Sequence, residues 1–376
     1  MADAEIADSR HMAAALQLAK QGLFSCDPNP RVGALIVQGD TVVGSGWHER
    51  AGGPHAEAAA LAAAGPAARG ATCYVTLEPC AHHGRTPPCT DALIAAGVTR
   101  VVAGALDPNP AVNGGGFARL RAAGIEVKFG VMEAQAKALN PGFHRRMAGG
   151  RPWVRIKSAM SLDGRTALAN GASQWITGPA ARNDVQRLRA RSSAVVTGVG
   201  TVLADDPQLT VRGAALETSV RQPIRVVLDS QLRTPAHARL FETTSPVYIF
   251  TSVHGARSPA RRALEAAGAR VETLPTTPQE RLDLTAALDR LAEIGCNEIL
   301  VEAGATLSGA WLEAEAADEL WIYVAPTLLG PGAQGLYNTA SIDQMAARRR
   351  LQIDEVRKIG ADWRIRARPC AADDGN

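Results

Sequence analysis

The sequence predicts an α/β protein of two domains. Three observations carry this: helical and strand patterns alternate through both halves, a glycine-rich break falls near residue 149, and 376 residues exceed what one core usually holds. The first half opens with a helical pattern over 9–22. Strands follow near 31–37 and 41–47, then a helix over 54–64, a strand at 72–77, a helix over 88–96 and a strand at 100–105. FARLRAAGIEVKFG supplies another helix and strand, and a helix over 131–139 runs toward NPGFHRRMAGGRPW, where proline and paired glycines interrupt any regular element. This places one domain at 1–148 and a second at 151–370. The second half restarts with the strand WVRIKSAM and continues through SAVVTG, IRVVLDS, VYIFTS, EILVEAG and ELWIYVAP, with helices between several of them. The tail AADDGN is expected to be disordered.

Composition narrows the function. A hydrophobic content of 46%, a charged content of 20% and a net charge of +3 describe an ordinary soluble protein without the basic excess of a dedicated nucleic-acid binder. MADAEIADSR carries acids where a signal peptide carries bases, and AEAAALAAA is too short to span a bilayer, so a cytoplasmic protein with no membrane partner is expected. Cys26, Cys73, Cys296 and Cys370 are scattered and do not form a disulfide framework. Arg155, Arg182 and Arg187 read as surface charges.

Cys80 and Cys89 differ from these, because they bracket EPCAHHGRTPPC, residues 78–89, with two histidines between them. Upstream, GGPHAEAAAL puts His55 and Glu57 in the first turn of a helix that Pro54 is suited to start. One histidine and two thiolates make the protein share of a catalytic zinc site, which keeps a fourth position for water, and they neutralise the ion. Cys80 follows the strand CYVTLEP and Cys89 opens a helix, whose free amides favour a thiolate. Both cysteines are therefore expected to be anions. Glu57 is better used in proton transfer than in coordination, since its charge would close the shell. A binding module with a structural zinc would need a fourth protein ligand. The H-x-E plus P-C order is that of zinc-dependent base deaminases, but eight residues separate Cys80 from Cys89 where those enzymes have two.

That insertion resembles the zinc loop of the riboflavin-pathway pyrimidine deaminase family. DPNPRVGALIV (27–37) and DPNPAVNGGG (107–116) resemble the family's substrate-binding segments, although Asp-Pro-Asn-Pro is also good turn chemistry. The resemblance implies a cytidine-deaminase-like three-layer α/β/α domain holding one zinc per chain. It further implies contacts to a pyrimidine ribose phosphate from Asn29, His48, His82, Arg85, Asp107 and Asn109. His83 is read as scaffold or as an incidental surface residue.

In the second half, Gly198-Val199-Gly200 after SAVVTG lacks the third glycine of a dinucleotide fingerprint, because Leu203 stands there. A stronger phosphate candidate is VEAGATLSGAWL (301–312), where a strand ends in glycine and Ser308 and Gly309 open into a helix. Strand-glycine-helix turns are also common for purely structural reasons. KSAMSLDGRTA, SQWIT, TVLADDPQLTVR and VEAGATLSGA together resemble the reductase half of the bifunctional riboflavin-biosynthesis deaminase/reductase family, whose fold is similar to dihydrofolate reductase. The two resemblances cover nearly the whole chain. The second implies NADPH contacts from Ala159, Trp175, Thr201, Asp205, Ser230 and the run Gly304, Ala305, Thr306, Leu307, Ser308, Gly309 and Ala310. It also implies substrate contacts from Ser173, Arg189, Leu209, Arg212 and Glu302. Lys157 and Asp205 are candidates for proton movement during hydride transfer, with ion-pair scaffolding as the alternative. The implied activity is zinc-dependent deamination of a diaminopyrimidine ribotide followed by NADPH-dependent reduction of its ribosyl group, with small-molecule substrates, no nucleic-acid partner and a homo-oligomeric dimer or tetramer. A deaminase of nucleic-acid bases would instead need a basic, aromatic-lined channel that the charge balance does not suggest.

Overall fold

Small and branched apolar residues set the first sheet. Gly33–Gln38 (β1) buries every residue but its last, as expected for a strand covered on both faces. The computed structural model describes residues 2–82, 87–213 and 220–370, so the calls on His83, Arg85 and the tail 371–376 lie outside the described residues. The chain divides into two compact units, Met1–Arg151 and Pro152–Asn376.

Unit 1 begins with the helix Ala2–Ala19 (α1), longer at its start than the pattern at 9–22 suggested. After β1 come Thr41–Trp47 (β2), Ala56–Ala64 (α2), Thr72–Leu77 (β3), Cys89–Ala96 (α3), Arg100–Ala105 (β4), Gly115–Ala122 (α4), Glu126–Phe129 (β5), Glu133–Leu139 (α5) and Pro141–Met147 (α6). The strand order is β2-β1-β3-β4-β5, antiparallel across β2-β1-β3 and parallel across β3-β4-β5. α1 packs on β1 and β3 and touches α5, whereas α2 packs on β2 and β1 and meets α3. The sheet is thus sandwiched between two helical layers.

Two glycines let α2 sit directly on β2. A Cβ on Gly44 would lie 2.3 Å from the carbonyl oxygen of Ala60, and one on Gly46 would lie 2.6 Å from the Cβ of Ala59. The alanine run of α2 is the matching face: Ala56, Ala60 and Ala64 are buried at i, i+4 spacing. Helix α6 departs from the sequence expectation, because the segment read as a break is a helix. Pro141 stands at its first position, where a missing N–H costs nothing.

Unit 2 runs through Trp153–Ser161 (β6), Arg165–Ala167 (β7), Pro179–Arg191 (α7), Ala194–Gly198 (β8), Val199–Asp205 (α8), Ile224–Leu228 (β9), Val247–Thr251 (β10), Ala260–Ala266 (α9) and Ala269–Thr273 (β11). It continues with Leu284–Glu293 (α10), Glu298–Val301 (β12), Ala305–Glu313 (α11), Glu319–Ala325 (β13), Gln334–Gly335 (β14), Leu351–Ile359 (β15) and Asp362–Pro369 (β16). Its nine-stranded sheet has the order β11-β10-β9-β8-β12-β6-β13-β16-β15. Every pairing from β11 to β13 is parallel, and β13-β16-β15 is antiparallel. The chain lays β8 to β11 outward, then returns to insert β12 between β8 and β6. The hairpin β15-β16 was not among the strands read from the sequence.

Arg155 corrects the reading of it as a surface charge: it is 1% exposed, in the middle of the sheet. Its Nε donates to Glu319 at 2.6 Å, its Nη1 pairs with Glu298, and Arg191 reaches the same Glu298 oxygen at 3.3 Å. Two cations matched to two acids neutralise a stretch of the sheet where Arg155 and Glu298 are cut off from water. Arg182 is also partly covered, with its guanidinium 4.5 Å from the ring centroid of Trp175. Arg187 is exposed, as expected.

Because α2 approaches β2 across glycine, Gly44→Ala should overpack this contact and destabilise unit 1 by about 1–3 kcal/mol. Denaturant unfolding measures it, and an unchanged midpoint would mean that α2 does not press on β2.

Candidate functional site

The first site forms where β3 ends and α2 begins. His55 is the N-cap residue of α2, held in an extended conformation, and Glu57 lies in the first turn, buried to 4% exposure. Cys89 opens α3 after Pro88, and the Cys89 backbone N–H donates to Cys80 Sγ at 3.4 Å. His55 Nδ1 is 3.2 Å from Cys89 Sγ and 3.6 Å from Cys80 Sγ, and the three ligand atoms all lie within 4.8 Å of one another. A tetrahedral zinc separates such ligands by about 3.5–3.8 Å, so the donor set fits this ion in both geometry and chemistry. Among the described residues this is the one cluster of histidine, cysteine and acid with metal-binding spacing.

The electrostatics are strongly coupled. Cys80 is held down to about 4, first because the Cys89 thiol donates to it and then because His55 and the Cys89 N–H add hydrogen bonds. Cys89 is pushed up by the same bond to Cys80 and by burial. The two sulfurs are thus hydrogen-bonded to each other across the pocket. The Cys80 hydrogen bond also raises His55, against its burial. Burial pushes Glu57 up to about 7, opposed by the field of His55. A carboxyl poised near neutrality can both take and return a proton.

Above this floor opens a cavity of about 560 Å³, a size that takes a small organic ligand. Asn29, His48, His82, Asp107 and Asn109, every described residue expected at the deaminase substrate, line it. His48 is oriented by its Nδ1, which donates to Pro54 O at 2.8 Å, leaving Nε2 to accept from Asn29 Nδ2 at 3.0 Å. Asp107 is raised to about 6 by burial, against a hydrogen bond from the Asn109 backbone N–H. His82 is exposed at the rim.

Sequence reasoning missed two contributors. Glu78, 3% exposed, accepts from the backbone N–H groups of Asp107, Gly114, Gly116 and Phe117 at 3.0–3.2 Å. It ties the strand end that carries Cys80 to the turn that carries Asp107. Its acidic character two residues before a ligand was the available signal. Arg146 lines the cavity from α6, and only the basic run HRR in a segment read as irregular hinted at it.

In unit 2 the expected residues gather at the C-terminal ends of parallel strands, the edge where open α/β sheets hold ligands. β8 ends at Gly198, which caps α8 with Thr201 and Asp205. β12 ends at Val301, and Glu302 and Gly304 lead into α11. Lys157 lies one residue beyond the pairing of Ile156 with Val301, and Ala159 lies further along the same strand. Ser230 follows β9 in a turn whose buried Asp229 accepts from Thr234 N and Oγ1 at 2.7 and 2.8 Å.

Geometry divides the expected contacts. α11 begins at Ala305, so its free amides belong to the Gly304 end, ahead of the Ser308-Gly309 pair read as its opening. Ser308 is buried and donates to Ala303 O at 3.2 Å, while a Cβ on Gly309 would strike Asn338 O at 2.1 Å. Open space in front of Gly200 and Gly304 leaves room for an extended phosphate-bearing cofactor against two helix starts. Arg189 and Glu302 hold each other through bonds of 2.6 and 2.9 Å, and Arg189 Nη1 also donates to Thr210 O at 2.9 Å. Arg212 is exposed nearby, and Leu209 is buried. Burial lowers Lys157, opposed by Glu302. Asp205 is exposed and accepts from Gln174 Nε2 at 3.2 Å, close to the exposed Trp175 and the half-buried Ser173.

Known proteins resemble both halves. Residues 6–105 match the cytidine and deoxycytidylate deaminase zinc-binding region, and residues 152–365 match the RibD C-terminal domain. Riboflavin biosynthesis protein RibD of Escherichia coli is 48% identical, covering 94% of this chain and 97% of its own length. The Haemophilus influenzae protein of the same name is 45% identical over 96% and 97%. Among solved structures, Acinetobacter baumannii RibD aligns with a TM-score of 0.91 at 46% identity, covering 98% of this chain and all of that one. A Thermotoga maritima diaminohydroxyphosphoribosylaminopyrimidine deaminase/5-amino-6-(5-phosphoribosylamino)uracil reductase aligns at 0.84 and 35% identity, over 97% and 99%. With a zinc-fitting His-Cys-Cys trio in the first unit and a reductase fold in the second, the chain belongs to the RibD family of riboflavin biosynthesis and is a bifunctional, zinc-dependent deaminase and NADPH-dependent reductase.

Proposed function

We propose that unit 1 removes the 2-amino group of 2,5-diamino-6-(5-phosphoribosylamino)pyrimidin-4(3H)-one, giving 5-amino-6-(5-phosphoribosylamino)uracil, and that unit 2 reduces the ribosyl group of that product to ribityl. The observation that carries the first step is the buried Glu57 carboxyl beside His55, Cys80 and Cys89 at the floor of a cavity. His55, Cys80 and Cys89 would hold zinc, which would make a water acidic enough to attack near neutral pH. Glu57 takes a proton from the attacking water, delivers it to the ring nitrogen, and then carries a second proton to the departing ammonia. Asn29, His48, Asp107 and Asn109 orient the pyrimidine, and the cavity walls exclude bulk water. Because His48 Nδ1 is engaged by Pro54 O, its Nε2 can only accept a hydrogen bond while the ring is neutral. Burial, the largest influence on His48, disfavours its charged form.

In unit 2, bound NADPH would supply the hydride that reduces C1′ of the opened sugar. The Gly304 end of α11, Thr201 in α8 and the turn at Ser230 would hold the cofactor phosphates and ribose. Lys157, lowered by burial, moves a proton to the sugar oxygen, with Asp205 close enough to bias it. Arg189 and Glu302 act as one neutral pair positioning the substrate, and Arg212 is the cation left for its phosphate. A homo-oligomer working in the cytoplasm accords with this chemistry, and no described helix is long and apolar enough to cross a membrane.

Glu57→Gln should keep stoichiometric zinc yet lower deamination by at least about 100-fold, because an amide keeps the shape and cannot act as a base. Cys80→Ser should lose the metal itself. Metal analysis beside an ammonia assay separates the two, and near-normal turnover by zinc-loaded Glu57→Gln would remove Glu57 from the mechanism.

The two activities should fail independently. Chelation should stop ammonia release and leave NADPH oxidation on the deaminated ribotide intact, whereas Lys157→Met should lower that oxidation about 100-fold or more and spare deamination. Loss of both activities together in a folded protein would contradict two separate sites.

A further inference from the structure

We infer that Arg146 binds the 5′-phosphate of the ribotide in the deaminase cavity and makes that site selective for phosphorylated substrate. The inference rests on the reading of unit 1 as a ribotide deaminase. Much of the remaining polar lining of the cavity is acidic and ill-suited to a dianion. Glu57, Glu78 and Asp107 are acids, and Arg146 is the one arginine or lysine among the described lining residues, with Arg85 lying outside the described residues. A phosphate entering this space needs a cation, and a guanidinium meets it with two parallel hydrogen bonds.

Arg146 is also well placed to serve. On α6, Phe143, Arg146 and Met147 stand at i, i+3 and i+4, and all three line the cavity, so one helix face looks into it. The helix is fixed to the Asn29 segment. Arg31 N donates to Asn140 Oδ1 at 2.8 Å, Asn140 Nδ2 donates to Arg31 O at 2.9 Å, and Arg31 Nη1 donates to Leu139 O at 2.9 Å. Asn29 and Arg146 thereby become parts of one rigid wall. The last turn of a helix is in addition where its dipole favours a positive charge.

The test uses the full chain with Arg146→Gln and Arg146→Lys, following ammonia release from the ribotide and from its dephosphorylated riboside. Arg146→Gln should raise KM for the ribotide roughly tenfold or more, the usual worth of a charge-assisted contact, with kcat little changed. The riboside, which has no phosphate to lose, should change far less, so the preference between the two collapses. Arg146→Lys should recover part of it, as a point charge without the fork. Ribose 5-phosphate should inhibit the wild type competitively and the Gln variant more weakly. Equal losses on both substrates, or an unchanged ribotide KM, would overturn the assignment. Zinc content and NADPH oxidation on the deaminated ribotide report folding; if Arg146→Gln fails them, the ribotide-to-riboside ratio of Arg146→Lys decides, and an unchanged ratio overturns the proposal. A wild type that releases no ammonia from the ribotide contradicts the deaminase reading instead.

Discussion

Four backbone amides converge on one buried carboxylate, that of Glu78. A carboxylate almost out of water is tolerated only when its lone pairs are occupied, and here the start of α4 and the turn at Asp107 occupy them. Pro79 and Cys80 come next in the chain, so the position of a metal ligand and that of a substrate turn are set by one cluster of hydrogen bonds. Gly116 completes the arrangement: a Cβ there would stand 2.0 Å from the carbonyl oxygen of Pro79. The zinc ligands and the pyrimidine contacts can stay in register because neither segment is free to move without leaving amides and carboxylate unpaired.

Unit 2 is organised by buried charge of a different kind. Arg155, Glu298 and Glu319 pair within the sheet, joined by Arg191 from the end of α7, while Arg189 and Glu302 pair at the C-terminal edge of its parallel strands. Both sets need mutual neutralisation, since removing one partner of a buried pair leaves an uncompensated charge worth about 3–5 kcal/mol of instability. Only the second set faces the space where substrate is expected. Its closed geometry means that an incoming phosphate meets a dipolar pair rather than a bare arginine, which leaves Arg212 as the exposed cation.

The two sites share a principle of construction. In each, reactive groups stand where a strand ends and a helix begins: Cys80 after β3, His55 and Glu57 at α2, Thr201 at α8, Glu302 and Gly304 ahead of α11. Such junctions offer free amides and a fixed backbone direction, so a short side chain can be aimed with little entropy left to lose.

The sequence by itself determined the α/β class and picked out the His55-Glu57-Cys80-Cys89 set that the fold brings together. Metal coordination and proton transfer demand particular residue types, and local turn and cap chemistry places them a few residues apart, so this information is written along the chain. Tertiary structure alone decided that Arg155 is a core residue, that Glu78 gathers four backbone amides, that Ser308 and Gly309 sit inside α11, and that Arg146 lines the deaminase cavity. Each of these depends on what a side chain meets from segments distant in sequence. Burial and charge pairing are properties of the assembled environment, and the same arginine reads as solvated or buried until the strands around it are in place.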